Sequence, residues 1–241
     1  MNKLFLLSLF LPVIAFANPI PSGYPNKGTL QQGQALFKLI KEHPDSVVSV
    51  SPPEFQYGSA QMGDAILNIG TWAMALQHQP VWIGDISKKQ GGQLARHLTH
   101  QRGLDADIGY LVHTHKLTGH RAKKFHDRFT EQFGLEGKLG ENFDLESNYQ
   151  LLAHIVQKLD VTSVYVGCGI YDAIETYDKN QPTSIMQHIF AQKGHEDHFH
   201  LRLKCPSDAP ACSNQWWVDP LKRHKKKKHY SDSPSGKYRD C

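Results

Sequence analysis

The sequence predicts an α+β domain: a central, mostly antiparallel sheet with flanking helices and a polar site on one sheet face. Three observations carry that expectation. Apolar residues at helical spacing recur along the chain between short β-branched or alternating runs. Those runs follow one another as strands separated by helices with hairpin-like returns. Two histidine-rich patches, His97-Leu-Thr-His100-Gln-Arg-Gly103-Leu-Asp-Ala-Asp107 and Gly194-His195-Glu-Asp-His198-Phe-His200-Leu-Arg202, each join an alternating run.

The elements follow in chain order. Residues 1–17 read as a secretory signal peptide: a positive Met-Asn-Lys3, an apolar Leu4–Ile14 and an Ala15-Phe16-Ala17 cleavage site. Gln31–Glu42 has apolar residues at helical spacing, and Ser46–Ser51 is extended and stops at Pro52-Pro53. Met62, Ala65, Ile66, Ile69, Trp72, Ala73 and Leu76 form a stripe that predicts a long helix over Gln61–Gln77. Pro80–Ile86 is a short strand, Ser87–Gln101 a polar loop and Leu104–Val112 an alternating strand. Lys116–Phe133 is an amphipathic basic helix or a long insertion. Leu145–Leu159 is a helix with Asp144 as N-cap, and Val161–Gly167 a buried strand. Thr183–Phe190 reads as helical and His198–Leu203 as a strand. No stretch after the leader is long and apolar enough to span a bilayer. The expected organisation is a leader (1–17), one domain (18–221) and a basic C-terminal tail (222–241).

Charge narrows the partners. The formal net charge of +4 is smaller than the positive charge of Lys222-Arg-His-Lys-Lys-Lys-Lys228 alone. The body is therefore about neutral, which excludes a nucleic-acid-binding surface by charge. The tail reads as a solvated run, or as a weak electrostatic contact to an anionic surface of carboxylates or lipid headgroups. Cys168, Cys205, Cys212 and Cys241 are even in number in a chain with an export leader, which favours disulfides. Cys205 and Cys212 would close a short Pro-containing loop; Cys168 with Cys241 follows by elimination.

Strand periodicity explains why the histidine patches matter. Residues two apart share a face, so His198, His200 and Arg202 project together while Phe199, Leu201 and Leu203 point to the core. Asp105 and Asp107 share the face opposite Leu104, Ala106 and Ile108. Pairing the two polar faces would converge Asp107 with His198 and His200, with His100 in the loop leading in. Neutral imidazoles plus a carboxylate form a ligand set suited to Zn²⁺ with one position open for water.

His100 to Asp107 reads HxxxxxxD, and His198-Phe-His200 reads HxH. The pair resembles the signature of the zinc peptidases that include lysostaphin, the D-Ala-D-Ala metallopeptidases and the sonic hedgehog domain. Within that group the blocks HLTHQRGLDADI and GHEDHFHLRLKCP look most like the penicillin-insensitive murein endopeptidases. The resemblance implies zinc ligands His100, Asp107 and His200, with His198 as general base. It makes His97 and His195 accessory ligands or neighbours of the metal. Asp105 is structural, and Arg202 would bind a substrate carboxylate. The implied activity is hydrolysis of D-alanyl–diaminopimelyl cross-links of peptidoglycan in the periplasm. A D-alanyl-D-alanine carboxypeptidase or dipeptidase and a non-catalytic wall-binding relative are the alternatives.

Overall fold

The computed structural model describes residues 18–113, 133–134 and 139–217. The leader, the basic segment up to residue 132 and the basic tail lie outside the described residues. A hairpin comes first, β1 (Ile20–Tyr24) with β2 (Lys27–Gln31). It is followed by β3 (Gln34–Ala35), α1 (Leu36–Glu42), β4 (Val47–Ser49), β5 (Tyr57–Gly58), α2 (Ala60–Gln77), β6 (Val81–Ile83) and β7 (Asp105–Gly109). After these come α3 (Leu145–Lys158), β8 (Val161–Val166), α4 (Cys168–Asp178), β9 (Ile189–Ala191) and β10 (His198–Leu203).

Six strands form the central sheet in the order β4-β6-β7-β10-β8-β9. The three inner pairings are antiparallel, and the two outer ones, β4 with β6 and β8 with β9, are parallel. The fold is thus the mixed, mostly antiparallel α+β sheet that the sequence predicts. The last strand among the described residues, β10, lies at its centre. Its neighbours are β7, with His200 opposite Asp107 and Arg202 opposite Asp105, and β8, with His200 opposite Tyr165.

One sheet face is apolar. Phe199, Leu201 and Leu203 from β10 join Ala106 and Ile108 from β7, all buried in one core with the helices. α2 contributes Met62, Ala65, Ile66, Ile69 and Ala73, the stripe read from the sequence. α3 contributes Leu151, Leu152 and Ile155. Each such side chain stabilises the fold by about 1.5–3 kcal/mol on burial. Both long helices start on a side-chain cap: Ser59 accepts from the Met62 amide at 3.1 Å, and Asp144 from the Ser147 amide at 3.1 Å.

Several elements differ from the sequence expectation. α1 begins only at Leu36, because Gln34 and Ala35 pair with β5. The run Thr183–Phe190 is no helix. Asp178 takes hydrogen bonds from the Ser184 hydroxyl (2.6 Å) and the Ile185 amide (3.0 Å), and this side-chain competition holds the turn open. The chain then enters β9, which pairs in parallel with β8. The β1–β2 hairpin and α4 carry no strong sequence signal.

Candidate metal centre

The polar face of β7 and β10 meets the loop that precedes β7. Asp107 comes from β7, His198 and His200 from β10, and His97 and His100 from the loop. His100 reaches its place with a left-handed backbone (φ 63°), unusual for a residue with a Cβ. Gly103 (φ +66°) turns the chain into β7, and a Cβ there would lie 2.8 Å from the Gly58 Cα.

Three donor atoms form a small triangle. His100 Nε2 lies 3.1 Å from Asp107 Oδ1 and 3.1 Å from His200 Nδ1, and His200 Nδ1 lies 3.4 Å from Asp107 Oδ1. His198 Nε2 stands 3.5 Å from the same carboxylate oxygen. His97 approaches from the other side, its Nδ1 3.8 Å from Asp107 Oδ2. One ligand atom each from His97, His100 and Asp107 also fall within 4.8 Å of one another.

The outward nitrogen of each ring is already engaged. His100 Nδ1 lies 3.0 Å from the Ile86 carbonyl, and His200 Nε2 lies 2.9 Å from Asp105 Oδ1. His198 Nδ1 lies 2.5 Å from Asp197 Oδ1, and His97 Nε2 lies 2.9 Å from Asp85 Oδ2. In the neutral tautomer that gives these acceptors the N–H of each ring, the inward nitrogens of His100 and His200 carry lone pairs. Asp107 Oδ1 is buried and makes no hydrogen bond among the described residues, although three imidazole nitrogens lie within 3.5 Å. In that tautomer lone pairs and a carboxylate converge, an arrangement that a cation resolves. Zn–N and Zn–O distances of about 2.0–2.1 Å give tetrahedral ligand separations of roughly 3.4 Å, close to the triangle observed.

Electrostatics agrees with the geometry. Burial alone would raise the Asp107 pKa; positive charge on the His100 and His198 rings, when they are protonated, outweighs it and holds the carboxyl well below the usual carboxylate range. Burial would lower the His198 pKa; the carboxylates of Asp107 and Asp197 outweigh it, and the net shift is upward. His195 is pushed down to about 3, first by burial and then by His200 and His198. Its ring sits 5.0 Å from that of His198 and 5.9 Å from that of His200, at the rim of the cluster.

The structure corrects the reading of Arg202 as a substrate-binding group. Its side chain is 2% exposed, and its Nε donates to Asp105 Oδ1 at 2.6 Å. Arg202 lies beneath the surface, and its charge is matched there by Asp105. Asp105 is structural as expected, and it also holds His200 and Arg202 together. Two further carboxylates were not singled out in the sequence. Asp197 adjoins His198 and had a legible position. Asp85 had none, because the β6–loop geometry brings it to His97 and to the Ser51 hydroxyl.

The predicted short disulfide is present, Cys205–Cys212, with no free cysteine among the described residues. Cys168 is disulfide-bonded, and the expected partner Cys241 lies outside the described residues. A separate concavity of about 430 Å³ lies on the helix layer between Trp72, Tyr149, His154 and Tyr177, and none of the clustered histidines lines it.

The sequence profile of the penicillin-insensitive murein endopeptidases matches residues 23–230. The chain belongs to that family. The matched span contains both histidine patches and every residue of the centre described above. Among curated relatives, a penicillin-insensitive murein endopeptidase of Haemophilus influenzae is 29% identical over 165 residues, covering 66% of this chain and 55% of that protein. Two Escherichia coli proteins of the same name, from strains O9:H4 and O17:K52:H18, are 24% and 26% identical over 175 residues. Each match covers 72% of this chain and 57% of the relative. The chain thus spans little more than half the length of the curated family members it matches.

Proposed function

We propose that this chain is a zinc-dependent murein endopeptidase that hydrolyses D-alanyl–diaminopimelyl cross-links of peptidoglycan. One observation carries the reading: two imidazole lone pairs and an orphaned carboxylate oxygen converge within 3.4 Å in a family whose named members cleave murein. His100, Asp107 and His200 would hold the metal. When bound, zinc supplies Lewis acidity to a water and to the scissile carbonyl.

The protein's own groups do the rest. His198, oriented by Asp197, accepts the proton of the attacking water on Nε2 and delivers it to the leaving amine. His97, held by Asp85, and His195, kept neutral by its surroundings, line the sides of the centre. Ile86 and Asp105 fix the rings of His100 and His200, so little reorganisation accompanies the reaction. The leader and the disulfides fit export to the periplasm, an oxidising compartment. Among the described residues no helix is long and apolar enough to cross a membrane.

Single variants test the assignment. His100→Ala, Asp107→Ala and His200→Ala should each lose bound zinc and activity together. His198→Ala should retain most of the zinc and lose most of the rate. Metal analysis, with mass spectrometry of digested cross-linked muropeptides, reads both quantities. Full activity in His198→Ala, or full zinc occupancy in all four variants, contradicts the assignment. Loss of only a terminal D-alanine from the muropeptides would instead indicate a carboxypeptidase.

A further inference from the structure

The register of the sheet continues the centre sideways. His200 stands opposite Asp107 on one side and opposite Tyr165 on the other, and Tyr165 stands opposite Phe190. Directly opposed residues project on one face, so Asp107, His200, Tyr165 and Phe190 form a row across β7, β10, β8 and β9. Ring contacts confirm the shared face. The Tyr165 ring centroid lies 5.5 Å from that of His200 and 5.7 Å from that of Phe190.

The row changes character along its length. Asp107 and His200 are buried, whereas Tyr165 and Phe190 are half-buried. β9 is an edge strand, so the row leads from the centre to the margin of the sheet. With strands about 4.8 Å apart, Phe190 stands two spacings from His200, roughly the length of three extended peptide residues.

Arg202 explains how Tyr165 is presented. The guanidinium is buried, and its Nη1 donates to the Tyr165 hydroxyl at 3.3 Å. The rings of Tyr165 and Trp216 each lie 5.4 Å from its Cζ. With the phenol oxygen accepting from the arginine, the phenol proton remains available to a group arriving from the surface. A buried cation that cannot touch substrate itself thereby orients a hydroxyl that can.

We infer that the Tyr165–Phe190 row is the substrate subsite flanking the metal centre, a shelf for two to three residues of a peptide bearing small aliphatic side chains. Alanyl methyl groups lie against the two rings, and the Tyr165 hydroxyl donates to a carbonyl or carboxylate oxygen of the same segment. The inference rests on the peptidase reading of the centre, and it makes Tyr165 and Phe190 specificity residues rather than catalytic ones.

The test uses a His198→Ala background, so that substrate can be bound without turnover. Calorimetric titration with a soluble D-alanyl–diaminopimelyl cross-linked peptide dimer should give a Kd about tenfold weaker for Tyr165→Ala and for Phe190→Ala. Tyr165→Phe, which keeps the ring and loses the hydroxyl, should fall between them and the parent. Zinc content and thermal midpoint identify variants that have failed to fold; Phe190→Leu substitutes if Phe190→Ala does. With His198 present, Tyr165→Ala should raise KM with little change in kcat. An unchanged Kd in folded Tyr165→Ala and Phe190→Ala overturns the shelf. Cleavage of the dimer at the wild-type rate in the His198→Ala background contradicts the reading of His198 instead, and KM alone then judges the shelf. No binding to the parent overturns both.

Discussion

A ring nitrogen does what its neighbour on the far side of the ring permits. Asp197 lies 2.5 Å from His198 Nδ1, and in the proposed mechanism it would keep Nε2 turned inward as a proton acceptor. Asp197→Asn should therefore lower the rate by about 10–100-fold while leaving metal content unchanged, as steady-state hydrolysis and metal analysis would read. Asp105 presents a different case. It is fully buried with Arg202 beside it, and removing it strands a cation in the interior. Asp105→Ala should cost about 3–5 kcal/mol in urea unfolding. Burial would raise the Asp105 pKa, but Arg202 and His200 reverse that and hold it far below the carboxylate range. Its contribution is thus complete above the unfolded value of about 3.9 and disappears as pH falls below it.

The turn into β7 depends on one glycine. At φ +66°, with the Gly58 Cα and the Ser59 amide nitrogen within 2.9 Å of any Cβ, Gly103 has neither the conformation nor the space for a side chain. Gly103→Ala should lower stability by about 2 kcal/mol or more, because the left-handed backbone alone costs about 1–2 kcal/mol. A thermal melt would show the loss, with reduced metal retention because His100 and Asp107 flank the turn. This stretch also marks where sequence reasoning works and where it stops. Alternation along β7 and β10 was legible because each strand has one apolar and one polar face. The α2 stripe was legible because its buried residues recur at helical spacing. α4 was not: Gly167 at its N-cap makes no side-chain hydrogen bond, and its first turn has no acidic residue. Asp178 and its two hydrogen bonds decide the 183–190 run, and that tertiary arrangement leaves no periodicity to read. The ligand candidates were legible from spacing. Asp85 and the inward turn of Arg202 depend on packing between segments far apart in the chain.

Across the molecule, the side of the sheet that carries the centre is tied together by Arg102, which is buried beside the Cys205–Cys212 disulfide. Its Nη1 donates to the carbonyls of Ser213 (2.6 Å) and Gly23 (3.2 Å), joining the β1–β2 hairpin to the disulfide loop. Burial lowers its pKa to about 10, so it stays charged under physiological conditions. The metal should stabilise this whole arrangement, since a ligand that binds only the native state adds about 2.7 kcal/mol at a hundred times its Kd. Chelation should therefore lower the thermal midpoint by several degrees, and the drop should vanish in Asp107→Ala.

The shortest nitrogen–nitrogen approach in the centre joins His100 to His200, one hundred positions apart. A partly folded chain with either half in place holds only part of the donor set. Metal capture thus reports closure of a loop of one hundred residues, a step that the entropy of loop closure makes slow. During refolding from denaturant with zinc present, tight metal binding should appear with the final kinetic phase. On the proposed function, the chain would then acquire its hydrolytic capacity all at once, when β10 threads into the middle of the sheet.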